Sequence, residues 1–317
     1  MKILSPSDCY HALARPEFFG GENSFFAQIK DAELYASGRS ALRSAAGAMR
    51  KFGVKRIWLP APVCPSLPIF FKEFFEVKTY KADLFFSAAP QMAAAGGDAV
   101  LIMDFFGAGD AQNIGNWIEK NLKIFSILDA TFAPFSYLAK NSRASCVFAS
   151  LRKLLPIPDG AYLKIKGLAP RKVAQSPSAS MPEFAADILA AMALKSAAQK
   201  SENFGDSAYR KLFMRGEEKL FNSKSVLRIS PYSFETLQRL DIQKILRARA
   251  KEIREFEKSE KRKILKGSKT ILPREKNSAF APALVIETQA DFSKARELFA
   301  SAHSRPAAYW NKPDFSF

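Results

Sequence analysis

The side chains best suited to chemistry are an aspartate that closes one apolar run and a serine and lysine, three residues apart, that close another. Asp129 ends Ile124-Phe125-Ser126-Ile127-Leu128, and Ser150-Leu151-Arg152-Lys153 follows Cys146-Val147-Phe148-Ala149. A deprotonated lysine attacks an aldehyde to form a Schiff base, a serine hydroxyl donates to a phosphate, and a carboxylate keeps a heterocyclic nitrogen protonated. In that order they are what a protein needs to hold pyridoxal phosphate (PLP), with Lys153 as the catalytic amine and Asp129 and Ser150 as cofactor ligands. One turn puts Ser150 and Lys153 on the same side. Arg152 and the apolar Leu154-Leu155-Pro156 both favour the uncharged amine. Each residue also has an ordinary reading alone: a surface lysine among 48 basic residues, a turn serine, a capping aspartate.

Two further stretches fit the same chemistry. Ser37-Gly38-Arg39-Ser40 opens a helical pattern with Ala41, Leu42, Ala45, Ala46, Met49 and Phe52 on one face. The free amides and positive end of such a helix attract phosphate, Gly38 allows close backbone approach, and Arg39 or Ser40 adds a side-chain contact. Cys64, in Pro60-Ala61-Pro62-Val63-Cys64, follows a strand and fits the face of a cofactor ring or a buried structural position.

These residues need a scaffold, and the pattern supplies one. Short apolar strands at 56–59, 77–80, 99–103, 123–128, 146–149 and 161–165 alternate with helical segments. That alternation predicts an α/β fold: a mainly parallel sheet with helices on both faces. Ligands of such sheets sit at the carboxyl ends of the strands, where Asp104, Asp129 and Ser150 fall. Residues 1–30 read as a loop-like N-terminal segment, 31–180 as the large domain, and 181–317 as a helical connection with a small C-terminal α+β domain. In the last region 183–260 is mostly helical, 283–286 a strand and 291–302 a helix. Arg247 to Lys276 reads as an amphipathic surface helix, its apolar face given by Ile242, Ile245, Leu246, Ile253 and Phe256.

Bulk properties narrow the classes. The chain has 317 residues, 48% hydrophobic and 25% charged, with a net charge of +17. No apolar run reaches the roughly 18–20 residues that span a bilayer, and no signal-peptide core precedes Pro6, so no membrane role is expected. Cys9, Cys64 and Cys146 are dispersed and odd in number, which fits reduced thiols in a cytoplasm. With only His11 and His303, neither a metal site nor a Ser-His hydrolase is expected. The positive charge suits phosphorylated small molecules. No recognised nucleic-acid motif accompanies it, so nucleic acid is not an expected partner.

The order of segments resembles the fold-type I PLP enzymes of the DegT/StrS sugar aminotransferase family. The resemblance rests on Ser37 to Leu42, Leu59 to Cys64, Asp104-Phe105-Phe106-Gly107, Leu128-Asp129-Ala130-Thr131 and Ser150 to Lys153, over residues 20–165, with a looser echo in 247–256 and 304–310. It implies an aminotransferase taking an amino donor and a carbonyl acceptor, with Lys153 as the Schiff-base lysine, Asp129 as the pyridine partner, and Ser150, Gly38, Arg39 and Ser40 at the phosphate. Cys64 falls where many relatives stack an aromatic on the ring. It also implies a cytoplasmic homodimer with active sites at the subunit interface, and a nucleotide-linked sugar as one acceptor. The family's Gly-Glu-Gly-Gly turn is replaced by Pro158-Asp159-Gly160-Ala161, and Thr131-Phe132 replaces its usual small residue and His or Gln. The same residues also support PLP-dependent elimination or dehydration, or a non-catalytic regulator using its basic surface.

Overall fold

The computed structural model describes residues 13–83, 85–87, 89–168, 170, 176–198, 207–258 and 269–274, and the strands at 2–5, 283–286 and 307–309. In chain order the elements begin with β1 (Lys2–Ser5), α1 (Phe25–Gln28), β2 (Glu33–Tyr35) and α2 (Gly38–Lys51). Next come β3 (Arg56–Ala61), α3 (Ser66–Lys72), β4 (Glu76–Lys81), β5 (Asp98–Met103) and α4 (Ala111–Lys120). Then follow β6 (Phe125–Asp129), α5 (Tyr137–Asn141), β7 (Cys146–Ser150) and β8 (Ala161–Ile165). Helices α6 (Glu183–Ala198), α7 (Ser207–Asn222), α8 (Pro231–Arg239) and α9 (Ile242–Lys258) precede β9 (Lys269–Ile271), β10 (Ala283–Ile286) and β11 (Ala307–Tyr309).

Seven strands form one mixed sheet in the order β2-β8-β7-β6-β5-β3-β4. Strands β4, β3, β5, β6 and β7 run parallel, and β8 and β2 add an antiparallel edge. Every residue of β5, β6 and β7 is buried, as a parallel sheet covered on both faces requires. The expected α/β architecture is therefore observed. Helix α2 shows why its segment folds as it does. The Ser37 hydroxyl caps it by accepting from the Ser40 amide at 3.1 Å. Its apolar stripe, Leu42, Ala45, Ala46 and Met49, is buried, and Gly53 at φ +76° turns the chain away. Burying a side chain such as Leu42 or Met49 stabilises the fold by roughly 1.5–3 kcal/mol.

Some expectations shift. Strand β3 runs through Pro60 to Ala61, past the expected end at Leu59. It pairs with β5 only from Arg56 to Trp58, so beyond that point one edge lacks a ladder partner and tolerates proline. The 1–30 segment is not all loop: it holds β1, a 3-10 turn at Pro16–Phe18 and α1. Helix α9 (Ile242–Lys258) buries Ile242, Ile245, Leu246 and Ile253 as expected, but a strand at Lys269–Ile271 stands within the stretch expected to be helical. A second, antiparallel sheet has the order β11-β1-β10-β9, so residues 2–5 pair with strands near residue 300. Cys9, His11, His303, Trp310 and the expected helix 291–302 lie outside the described residues.

Helices α6 and α7 pack closely. A Cβ on Gly216 would meet Ile188 Cγ1 at 2.7 Å and the Phe184 carbonyl at 2.9 Å, so only glycine fits that crossing. Asp187 of α6 pairs with Arg215 and Lys219 of α7, and these cations hold its carboxyl down to about 2.

Candidate active site

The residues singled out by chemistry gather at the carboxyl ends of the parallel strands. Asp129 closes β6 and Ser150 closes β7, and the two strands pair in register. A 3-10 turn, Leu151–Lys153, carries the chain on from Ser150. The Leu151 and Arg152 amides both donate to the Gly160 carbonyl, at 2.9 and 3.3 Å, which folds the 151–160 loop back on itself. Gly160 sits at φ +136°, where a Cβ would lie 2.9 Å from Ile157 Cδ1. Glycine is needed there on both counts.

Asp129 is buried, and Thr131 organises its surroundings. The Thr131 amide donates to Asp129 Oδ1 at 2.9 Å, while Thr131 Oγ1 accepts from the Ser150 amide at 3.1 Å. One threonine thus ties the ends of β6 and β7 together. Burial pushes the Asp129 carboxyl above its ordinary value, opposed by the Thr131 hydrogen bonds and then by the charge of Lys153. Lys153 is half-buried, its Nζ 6.0 Å from the centre of the Phe132 ring. Phe132 in turn stacks on Phe106 with centroids 4.4 Å apart. Phe106 has φ +56°, a left-handed conformation uncommon outside glycine.

The start of α2 lies against Ser150. A Cβ built on Gly38 would be 3.6 Å from Ser150 Cβ and 3.7 Å from Phe148 Cε2. These are ordinary contacts, so the packing of the protein itself does not demand glycine here. The amides of Gly38 and Arg39 precede any intrahelical carbonyl, the usual anion-binding feature of a helix start. The side chains beside them point to other work. Arg39 donates to the Phe221 carbonyl at 3.1 Å and lies 4.7 Å over the Phe221 ring. Burial lowers its pKa, with Glu217 opposing and Arg152 reinforcing the shift. Ser40 Oγ accepts from the Leu227 amide at 3.3 Å and lies 3.5 Å from the Ser225 carbonyl. Cys64 is half-buried, 3.2 Å from the Ser66 hydroxyl, and close enough to Arg39 to influence it electrostatically.

Several participants leave no local trace in the sequence. Arg152 meets Glu217 of α7 with N···O distances of 2.7 and 3.1 Å, anchoring the lysine turn to a helix 65 positions away. Asp159, fully buried, accepts from the Ser230 amide at 2.8 Å, from Ser230 Oγ at 2.6 Å and from Ser233 Oγ, at the start of α8. Arg274, after β9, donates through its amide to the Gly107 carbonyl at 2.8 Å. Its Nε donates to the Ala108 carbonyl at 3.2 Å and its Nη1 to Asp110 at 2.9 Å. It thereby clamps the turn that carries Phe106. Among the described residues no three His, Cys, Asp or Glu side chains gather as metal ligands would. Among the same residues no helix is long and apolar enough to cross a membrane.

No protein-family model matches the chain, and no curated protein matches it. Solved structures similar to it include alanine aminotransferase from Pyrococcus furiosus, at 14% identity and a TM-score of 0.42, covering 79% of this chain and 59% of that one. NtdA from Bacillus subtilis, solved with bound cofactor PMP, is 16% identical with a TM-score of 0.37, covering 45% of this chain and 34% of that one. Sphingosine-1-phosphate lyase Bpss2021 from Burkholderia pseudomallei K96243 is 13% identical with a TM-score of 0.32, covering 42% and 37%. The chain thus spans about a third to three fifths of the length of these proteins.

Proposed function

We propose that this chain binds pyridoxal phosphate at the carboxyl ends of β6 and β7 and transfers an amino group from a small-molecule donor to a carbonyl acceptor. The observation that carries the reading is the buried Asp129 carboxylate, its charge opposed by burial and its described cationic neighbour the amine of Lys153. A protonated pyridine nitrogen is the kind of partner that such a carboxylate lacks. The residues fit the cofactor at its ring end. At the phosphate end the fit rests on the Gly38 and Arg39 amides and the Ser150 hydroxyl, because Arg39 and Ser40 already bind the 221–227 segment.

When bound, pyridoxal phosphate supplies a carbonyl that condenses with amines and a protonated ring that accepts an electron pair. Lys153 Nζ is the amine that holds that carbonyl carbon. The same Nζ, when free, would take the proton that the substrate carbon releases and hand it back. An Asp129 oxygen would hold the proton on the ring nitrogen. Phe106 and Phe132 exclude water beside Lys153. Cys64, just after β3, lies close enough to Arg39 at the start of α2 to act on it electrostatically. The five matching sequence stretches further support a DegT/StrS-type enzyme acting as a cytoplasmic homodimer, with a nucleotide-linked sugar as one candidate acceptor.

The test is direct. Purified protein is mixed with pyridoxal phosphate, reduced with borohydride and digested, and the peptide containing Lys153 is expected to carry the reduced cofactor. Lys153→Ala should lose the label and the yellow colour. A half-reaction screen of amino donors then separates transamination, which leaves the amine form of the cofactor, from elimination, which returns the aldehyde form and releases ammonia along with the keto product. Labelling of another lysine, or full labelling of Lys153→Ala, refutes the assignment.

A further inference from the structure

The edge of the sheet opposite the candidate active site holds a second cavity, at the amino ends of β5, β6 and β7. Its volume is about 290 Å³, close to the lower limit of small-molecule sites. Two features set it apart from ordinary surface. Its apolar wall includes Phe52 and Leu122, which are 60% and 63% exposed, whereas folding drives such side chains inward. Phe52 is held by Phe125 at a centroid distance of 5.5 Å, so the wall is built against the core.

The rim is cationic. Lys123, Arg143 and Lys166 line the cavity. Arg143 reaches Glu119 at 3.3 Å, but neither Lys123 nor Lys166 has an ionic partner among the described residues. The one acid lining it, Asp98, is already engaged: Oδ2 accepts from Trp58 Nε1 at 3.0 Å and from the Ala95 amide at 3.1 Å, and Arg56 lies 3.8 Å away. An apolar floor beneath uncompensated lysines calls for a ligand with the complementary division of character.

We propose that this cavity binds a small amphipathic anion, a carboxylate carried on an aromatic or short aliphatic body. The aromatic body covers Phe52 and Leu122 while the carboxylate meets Lys123 and Lys166. The site uses no residue of the PLP reading and stands or falls independently of it.

Equilibrium dialysis of the full chain at neutral pH tests the proposal with two probes of matched shape, 1-naphthoate and the neutral 1-naphthalenemethanol. The naphthoate should bind at least about ten-fold tighter, the preference expected of one charge-assisted contact. Lys123→Gln with Lys166→Gln should bring the naphthoate down to the alcohol, and Leu122→Ser should weaken both probes. Leu122 and both lysines are exposed, so these variants are expected to fold, and circular dichroism checks that they do. Equal binding of the two probes, no binding of either, or indifference of both variants overturns the proposal.

Discussion

Replacing Asp129 by asparagine should move the protein in opposite directions with and without cofactor. The change is nearly isosteric, and the new amide oxygen can still accept from the Thr131 amide, now 2.9 Å from Oδ1. What disappears is a buried charge whose ionised form is disfavoured by desolvation. Without cofactor at pH 7 the variant should therefore be more stable, by roughly 1–2 kcal/mol, the scale on which imperfectly compensated buried polar groups destabilise proteins. The pH dependence follows from the direction of the shift. The folded pKa lies above the unfolded value of about 3.9, so the folded state holds the proton more tightly. The contribution of Asp129 is complete below that unfolded value and is lost as pH rises through the folded one. The advantage of the variant should thus shrink as pH falls towards about 4. With cofactor the sign reverses, because an unpaired pyridinium in a buried site costs roughly 3–5 kcal/mol. The affinity for pyridoxal phosphate should fall between about one hundred and several thousand fold. Thermal unfolding across pH, with and without the cofactor, reads both effects. A variant that is less stable at every pH without cofactor, or that binds the cofactor as tightly as the parent, refutes the reasoning.

Other substitutions probe the supports. Glu217→Gln should lower stability by about 1–2 kcal/mol, because Arg152 is largely buried while Glu217 still meets water; a denaturant midpoint unchanged from the parent would contradict this. Asp159→Ala should be more damaging, about 2–4 kcal/mol, since it strips a fully buried acceptor from one amide and two hydroxyls. A loss below 1 kcal/mol by chemical denaturation would show that water replaces the carboxylate. Arg274→Ala should accelerate amide exchange across 105–110 while leaving β6 protected, because the two side-chain contacts it removes fall on Ala108 and Asp110. Uniform exchange in variant and parent would show that the turn holds itself.

The central parallel strands β5, β6 and β7 were legible because each is a short, largely apolar run, and all three are buried throughout. Elements that depend on distant partners were not. Strand β1 exists through pairing with residues nearly three hundred positions away, and β2 is three residues long against β8. The same division governs the candidate site. Asp129, Ser150 and Lys153 stood out because strand ends are where α/β sheets place ligands, and the fold does bring them to one edge. Arg39 and Ser40 read as phosphate contacts because the local pattern of a helix start is the same whether it faces an anion or another segment. In the fold their side chains dock residues 221–227. Thr131, Glu217 and Arg274 carry no local signature, since each acts through a contact between separate elements.

The lysine turn illustrates why such contacts matter for chemistry. Leu151 and Arg152 bind it to Gly160, the Gly160 amide binds it to the Ala36 carbonyl just before α2, Asp159 fixes it to α8, and Arg152 fixes it to α7. A loop between two strands would by itself sample many positions, and each would carry the amine elsewhere. One closure within the loop and three attachments to other parts of the fold remove that freedom during folding, before any ligand arrives. Under the proposed reaction, a backbone held in this way needs little reorganisation to bring the amine to a carbonyl. The turn Pro158-Asp159-Gly160 therefore does more than close a loop. Its carboxylate and its glycine are two of the features that fix the backbone of the turn carrying Lys153.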